Sequence, residues 1–339
     1  MKKTLLFLCT ALLIGSWGCS RSSMVEIGNE CASLGFDRQT GRLVSFVEKS
    51  HSREFIDPSS VTSLPWRLDP AEPGSFNQET GYKVTFRKHG KDCLDIFWEY
   101  GGESPLEVKM TVSLEKDRPL SHWRASFKGL KAICSDGVTY PVVSGLKEYA
   151  NADLVLPTWL GILTHDPAEG ASADKPVKYS RSFPGSSMQL MALYDREKLM
   201  NGLYFSSQDT TSMSKTMTVS FVPGTVEFRA TCRVPDKTET DSFSPGYDVV
   251  VGSFDGDWVA ASAVYRSWAV EQNFCRESRF HNGDCPSWLP ETAFWIWNRG
   301  RSENVLKEAE DIQARLGLPV NAYWHLTAVE NGAEVVFLH

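Results

Sequence analysis

The sequence predicts a mainly β protein: a large antiparallel β-sandwich, followed by the first βαβ unit of an incomplete (β/α)8 barrel. Three observations lead there. Between residue 25 and about residue 255, apolar and polar residues alternate again and again with period 2, the signature of half-buried strands. No convincing amphipathic helix interrupts those runs, and short polar turns join them, as expected of antiparallel sheets. After residue 255 the texture changes to helix, then strand, helix and strand.

The chain opens with Lys2 and Lys3, then an apolar stretch from Leu5 to Ile14. That is the pattern of a signal peptide, and it is too short for a membrane-spanning helix, which needs about 20 apolar residues. Gly18 stands directly before Cys19, an arrangement that resembles the lipobox of bacterial lipoproteins. The resemblance implies acylation of Cys19, export, and attachment to a bacterial membrane facing the periplasm or the cell surface. Plain secretion with cleavage near the same place is the competing reading. Residues 1–19 are thus assigned to the signal and 20–24 to a polar tether.

Residues 25–255 carry the sandwich. Leu34–Phe36 and Leu43–Phe46 flank a turn in which Asp37 and Gly41 supply the turn chemistry. Tyr82–Phe86, Leu94–Tyr100, Leu106–Leu114 and Trp123–Phe127 follow as strands. Met188–Tyr194, Gly202–Ser206, Thr216–Val222, Val226–Val234 and Tyr247–Gly252 continue the series. The number of strands suggests sheets broader than those of an immunoglobulin-sized domain.

Residues 256–290 read as a linker with a helix over 257–270, Asp257 at its start and Val259, Ala263, Tyr265, Arg266 and Val270 as its repeating positions. Residues 291–339 begin with an apolar strand, Ala293–Trp297. Ser302 reads as the N-cap of a helix to Leu316, with Val305, Leu306, Ala309, Ile312 and Leu316 on one stripe. Gly317 stops that helix, Pro319 lies just beyond, and Val320–Leu326 is the next strand. A strand–helix–strand unit of this kind predicts parallel strands and a right-handed crossover.

Composition bounds the function. The chain has 339 residues, 42% hydrophobic and 12% aromatic, with a net charge of -7. No basic stripe suggests nucleic acid, and no phosphate-cradling glycine loop or nucleophile elbow is present. No cofactor is expected. Eleven tryptophans fit either sugar stacking or core packing. Six cysteines remain after Cys9 and Cys19: Cys31, Cys93, Cys134, Cys232, Cys275 and Cys285. Cys275 and Cys285 flank His281, but no second close pair completes a structural zinc site; a local disulfide or two buried thiols is the reading preferred. Asp255-Gly256-Asp257 lacks the later ligands of a calcium loop, so Asp257 is read as a cap. His51, His89 and His122 show no partner pattern, and His165-Asp166 reads as a solvated loop pair.

Several segments carry a family resemblance: Leu34-Gly35-Phe36-Asp37 with Gly41, Pro157-Thr158-Trp159-Leu160-Gly161, Phe183 to Gln189, Tyr265-Arg266-Ser267-Trp268-Ala269, and Trp295-Ile296-Trp297-Asn298-Arg299-Gly300. In these the chain resembles the N-terminal part of a DUF6259-like family of exported bacterial proteins related to glycoside hydrolases. The resemblance implies a galactose-mutarotase-like supersandwich that packs on a barrel, and carbohydrate as the ligand. It also directs attention to the C-terminal ends of the barrel strands, where such enzymes place their chemistry. There Trp297 and Trp324 are candidate stacking platforms, and Asn298, Arg299 and His325 candidate hydrogen-bonding groups for a sugar. No carboxylate stands at either strand tip, whereas glycoside hydrolysis needs two. A full barrel needs about 200 residues or more, so the sequence reads as an inactive, truncated form of a longer gene product. The alternative is a non-catalytic carbohydrate-binding surface lipoprotein.

Overall fold

A computed structural model describes residues 23–70, 76–102, 104–158, 161–298 and 305–324. The signal segment and Cys19 lie outside them. The chain divides into two compact units, one up to Val270 and one from Glu271 onward.

The first unit is a stack of antiparallel sheets. A four-stranded meander comes first: β1 (Met24–Gly28), β2 (Ala32–Asp37), β3 (Leu43–Glu48) and β4 (Arg53–Glu54). The β2–β3 turn forms as its residues dictate. Asp37 accepts the amide of Thr40 at 2.7 Å, and Gly41 has φ +76° over the Trp98 ring, which a Cβ there would meet at 2.6 Å. Trp98 in turn donates from Nε1 to the Thr40 carbonyl at 2.9 Å. A one-turn 3-10 helix, Pro58–Ser60, leads to β5 (Arg67–Pro70).

A hairpin series follows: β6 (Tyr82–Lys88), β7 (Cys93–Tyr100), β8 (Leu106–Leu114) and β9 (Leu120–Lys128). Every second residue of β8, from Leu106 to Leu114, is buried, as its alternation requires. A one-turn helix α1 (Leu130–Ile133) precedes β10 (Ser135–Lys147) and β11 (Ala152–Leu156). Next come β12 (Ile162–His165), β13 (Val177–Phe183), β14 (Leu190–Asp195), β15 (Gly202–Gln208), β16 (Lys215–Val222) and β17 (Thr225–Arg233). β18 (Ser242–Phe243) and β19 (Asp248–Phe254) complete the unit's strands.

These strands form a broad sheet in the order β12-β11-β14-β15-β19-β9-β8-β7-β6, with β18 also on β9, and a five-stranded sheet in the order β13-β16-β17-β10-β5. One core cluster unites residues of both with the meander; Trp66, Trp98 and Trp123 are fully buried within it, beside Phe36, Phe205 and Phe228. These three of the eleven tryptophans are therefore core packing, while Trp258, Trp288, Trp295 and Trp297 are exposed.

Helix α2 (Trp258–Ala269) lies on the other face of the broad sheet. Asp257 caps it, accepting from the Val259 amide at 2.9 Å. Its buried stripe is Ala261, Tyr265 and Ala269, packed with Leu120, Val155, Leu190, Ala192, Tyr204 and Phe254. The stripe differs from the one expected: Val259 and Val270 are exposed. The sheet offers a flat surface of side chains at this point, and small alanines let the helix backbone approach it.

The second unit begins with short helices α3 (Asn273–Arg276) and α4 (Trp288–Glu291). β20 (Phe294–Asn298), α5 (Leu306–Leu316) and β21 (Val320–Trp324) follow, and β20 pairs with β21 in parallel. Gly317 ends α5 in the left-handed conformation at φ 62°. Val305 stands at the N-cap without a side-chain cap bond; Ser302, the expected cap, lies outside the described residues. No described residue of this unit is buried.

Candidate functional site

The parallel register places Trp297 beside Tyr323 and Asn298 beside Trp324 at the C-terminal ends of β20 and β21. Three of the five sugar-contacting candidates, Trp297, Asn298 and Trp324, thus share one end of one sheet. The Trp297 side chain is 42% exposed. Arg299 and His325 lie outside the described residues. The strands read Phe-Trp-Ile-Trp-Asn and Val-Asn-Ala-Tyr-Trp. Among the described residues neither strand carries an Asp or Glu, whereas glycoside hydrolysis needs a pair of acids.

A second candidate surface is the face of the five-stranded sheet turned away from the core. Alternation sends Met217, Val219, Phe221, Val226, Phe228 and Ala230 inward. The intervening positions carry hydroxyls and charges. Ser180 meets Thr218 at 2.9 Å, Ser182 meets Thr216 at 3.1 Å, and Thr139 meets Thr231 at 2.7 Å. Arg229 donates to Ser220 at 2.9 Å and to Glu227 at 2.7 Å, while Arg67 stands 3.5 Å from the same Glu227. On β5, burial raises the Asp69 carboxyl above the usual range against the pull of Arg67 and Arg229. Sequence reasoning missed this face because β5, β10 and β13 were not recognised as strands; the Lys-Tyr-Ser-Arg-Ser alternation of β13 was the available signal.

The histidines correct the sequence reading: each of four has a carboxylate partner. His51 Nδ1 lies 3.1 Å from Glu48, His89 Nε2 3.0 Å from Asp95, and His165 Nδ1 2.7 Å from Asp153. His122 is clamped between Glu115 at 2.9 Å and Asp248 at 3.4 Å. Burial alone would lower its pKa; the hydrogen bonds and charges of Asp248 and Glu115 win and raise it to about 9. His51 reaches Glu48 within one local turn, while the other pairs cross between neighbouring strands. Asp166 is tied to Arg196 at 2.8 Å, so His165-Asp166 is not simply a solvated pair.

Among the described residues, the ion pair with both side chains fully enclosed is that of Lys215 with Asp209. Lys215 bonds Asp209 at 2.6 Å and Gln189 at 3.1 Å. The rings of Phe183 and Tyr247 lie 4.7 and 4.6 Å from its ammonium, within cation–π reach. Phe183 and Gln189 bound the segment that carried part of the family resemblance, and both hold this lysine. The Cys232 thiol, bonded to Tyr247, is pushed up to about 11 by burial. All six described cysteines are free, and Cys275 and Cys285 are only half-buried; neither the local disulfide nor the pair of buried thiols forms. Among the described residues, no cluster of three or more His, Cys, Asp and Glu could hold a metal.

Residues 243–330 match the family model described as a domain of unknown function, DUF6259. No curated protein matches the chain by sequence. Among solved structures, the alpha-N-acetylgalactosaminidase NagBb from Bifidobacterium bifidum in its GalNAc complex superposes with a TM-score of 0.58 at 13% identity, covering 89% of this chain and 51% of that one. Its ligand-free form gives 0.55 at 13% identity, covering 88% and 51%. The GH36 alpha-galactosidase AgaA from Geobacillus stearothermophilus gives 0.44 at 13% identity, covering 88% and 49%. The chain thus spans about half the length of these solved glycosidases, and with NagBb it shares a fold: antiparallel sheets making up a β-sandwich in a mainly β chain.

Proposed function

We propose that this chain is the N-terminal part of a glycoside-hydrolase-like protein that acts on glycans. Its sandwich serves as scaffold, and β20–α5–β21 opens a (β/α)8 barrel. The observation that carries this reading is the parallel β20–β21 pair following a broad antiparallel sandwich. The similarity of fold to the acetylgalactosaminidase over 89% of the chain supports it. Trp297, Asn298, Arg299, Trp324 and His325 are the residues proposed to contact sugar. The catalytic acids would stand on strands beyond these two, so the chain alone would not hydrolyse a glycan. We also place the protein outside the cytoplasm, anchored by a lipid on Cys19.

The test is a glycan panel presented to the purified chain and to a version extended through any downstream reading frame. Turnover by the extended version alone is the expected result. Turnover by neither, with no binding, would overturn the glycan reading. Radiolabelled palmitate incorporated into the wild type and absent from Cys19→Ala would bear on the anchor. A second reading, a carbohydrate-binding protein without catalysis, is favoured by the hydroxyl-rich outer face of the five-stranded sheet. Binding without turnover by either version would select it.

A further inference from the structure

On the outer face of the five-stranded sheet lies a groove of about 260 Å³, a little smaller than the usual small-molecule pocket of roughly 300–1,000 Å³. Ser144 and Gly145 of β10, Lys178 of β13, Ser220 of β16, and Glu227 and Arg229 of β17 line it, with Arg67 of β5 at its side. Two features set it apart from an ordinary solvated sheet face. One is charge. Three cations, Arg67, Lys178 and Arg229, line the groove with one carboxylate, Glu227, in a chain whose net charge is -7; Asp69 of β5, whose carboxyl burial holds toward its neutral form, stands near the two arginines outside the groove lining. Glu227 is shared between the two arginines, at 3.5 and 2.7 Å, so it neutralises the charge of only one. The Lys178 side chain forms no ion pair or hydrogen bond among the described residues. The other feature is preorganisation. Arg229 is held by Glu227 and Ser220, and Arg67 by Ser63 at 3.2 Å, so both guanidinium groups are oriented before any ligand arrives. A planar, multidonor guanidinium suits a carboxylate or sulfate, and the flanking hydroxyls suit a sugar ring.

We propose that this groove binds an acidic saccharide, its carboxylate or sulfate received by Arg67, Arg229 and Lys178 and its hydroxyls by the serines of β10 and β16. The saccharide half rests on the glycan-acting reading above; the anionic half rests on the charges in the groove. Binding is electrostatic in large part, so it weakens as salt rises.

Calorimetric titration of the full chain tests this with three probes: digalacturonate, neutral galactobiose and sodium sulfate. Digalacturonate is expected to bind about tenfold or more tightly than galactobiose, the worth of one well-placed charge contact at about 1.4 kcal/mol. It is also expected to outbind sulfate and to weaken between low and physiological salt. Lys178→Glu is expected to abolish the preference while leaving the circular dichroism spectrum unchanged, since Lys178 is exposed and unpartnered. Galactobiose binding as tightly as digalacturonate would overturn the anionic half. Sulfate binding as tightly would overturn the saccharide half. No effect of Lys178→Glu, or no binding by any probe, would overturn the groove as a site. Turnover of a neutral glycan by the extended protein would still uphold the glycan-acting reading, so the two fail separately.

Discussion

Lys215 and Asp209 show what single residues are doing in this fold. Two full charges stand with no exposure, which is tolerated only when both are paired and hydrogen-bonded. Asp209 also accepts the amides of Thr211 and Met213, so the pair fixes the turn between β15 and β16. Lys215→Met keeps much of the side-chain volume but strands the buried carboxylate. It is expected to destabilise the protein by about 3–5 kcal/mol, read as a lowered urea midpoint; a loss under about 1 kcal/mol would show that the ion pair is dispensable. His122 gives a pH-dependent counterpart. Its pKa is raised in the folded state to about 9. Its contribution is therefore complete below the unfolded value near 6.5 and is lost as pH rises through 9. The Glu115 and Asp248 carboxyls are lowered despite burial, by His122 together with Arg118 and Arg124. Their contribution is present above the ordinary carboxylate range and fades on acidification. Wild-type stability is expected to fall between pH 7 and 9.5, and His122→Gln to flatten that part of the profile. A wild-type profile equally flat would refute the clamp. These pairings were not legible in the sequence: His122 meets Asp248 through the register of β9 on β19, His89 meets Asp95 across a hairpin, and Lys215 meets Asp209 only once the turn between β15 and β16 has formed.

At the scale of elements, legibility followed exposure. β8 is buried on one face, and its alternation marked its ends to the residue, Leu106 to Leu114. β10 is buried on nearly every position from Gly137 to Leu146 and contains Pro141 and two glycines. Burial on both faces erases period 2, and its register with β17 is broken twice, so this longest strand left no readable pattern. The small strands at sheet edges, β4, β12 and β18, are too short to declare one. The helices were legible through their ends more than their stripes. Asp257 does cap α2, and Gly317 does close α5, yet the face α2 buries is Ala261, Tyr265 and Ala269. Two consequences can be measured separately. Asp257→Ala removes a cap bond and should cost about 1 kcal/mol. Ala261→Leu forces a larger side chain between helix and sheet and should cost about 1–3 kcal/mol by overpacking. Substituting Val259, on the face originally expected to be buried, with Ala should change the denaturation midpoint very little. A loss at Val259 exceeding that at Ala261 would reverse the assignment of the buried face.

The whole molecule combines two units held together by different means. Up to Val270 the chain closes one large core that spans three sheets, with α2 over a second cluster. From Glu271 onward the described residues bury nothing, and Phe294, Trp295, Trp297, Leu306 and Leu316 remain exposed. Strand–helix–strand order was fully legible there, since α5 stops at a glycine and the strands are apolar; of the candidate site, Trp297, Asn298 and Trp324 come to one sheet end, and the described residues of these strands carry no acid. A two-stranded parallel sheet gains little by itself, because parallel sheets are stable when both faces are covered and two strands leave two open edges. Local opening should therefore be far easier in the second unit than in the first. Limited proteolysis by trypsin under native conditions is expected to cut first within the second unit, at Arg276, Arg279, Lys307 or Arg315. A fragment carrying residues 23–270 should outlast it. Protection of Lys307 and Arg315 equal to that of the sandwich would mean that apolar surface on β20, α5 and β21 is covered in solution, and the idea of an open barrel start would have to be abandoned.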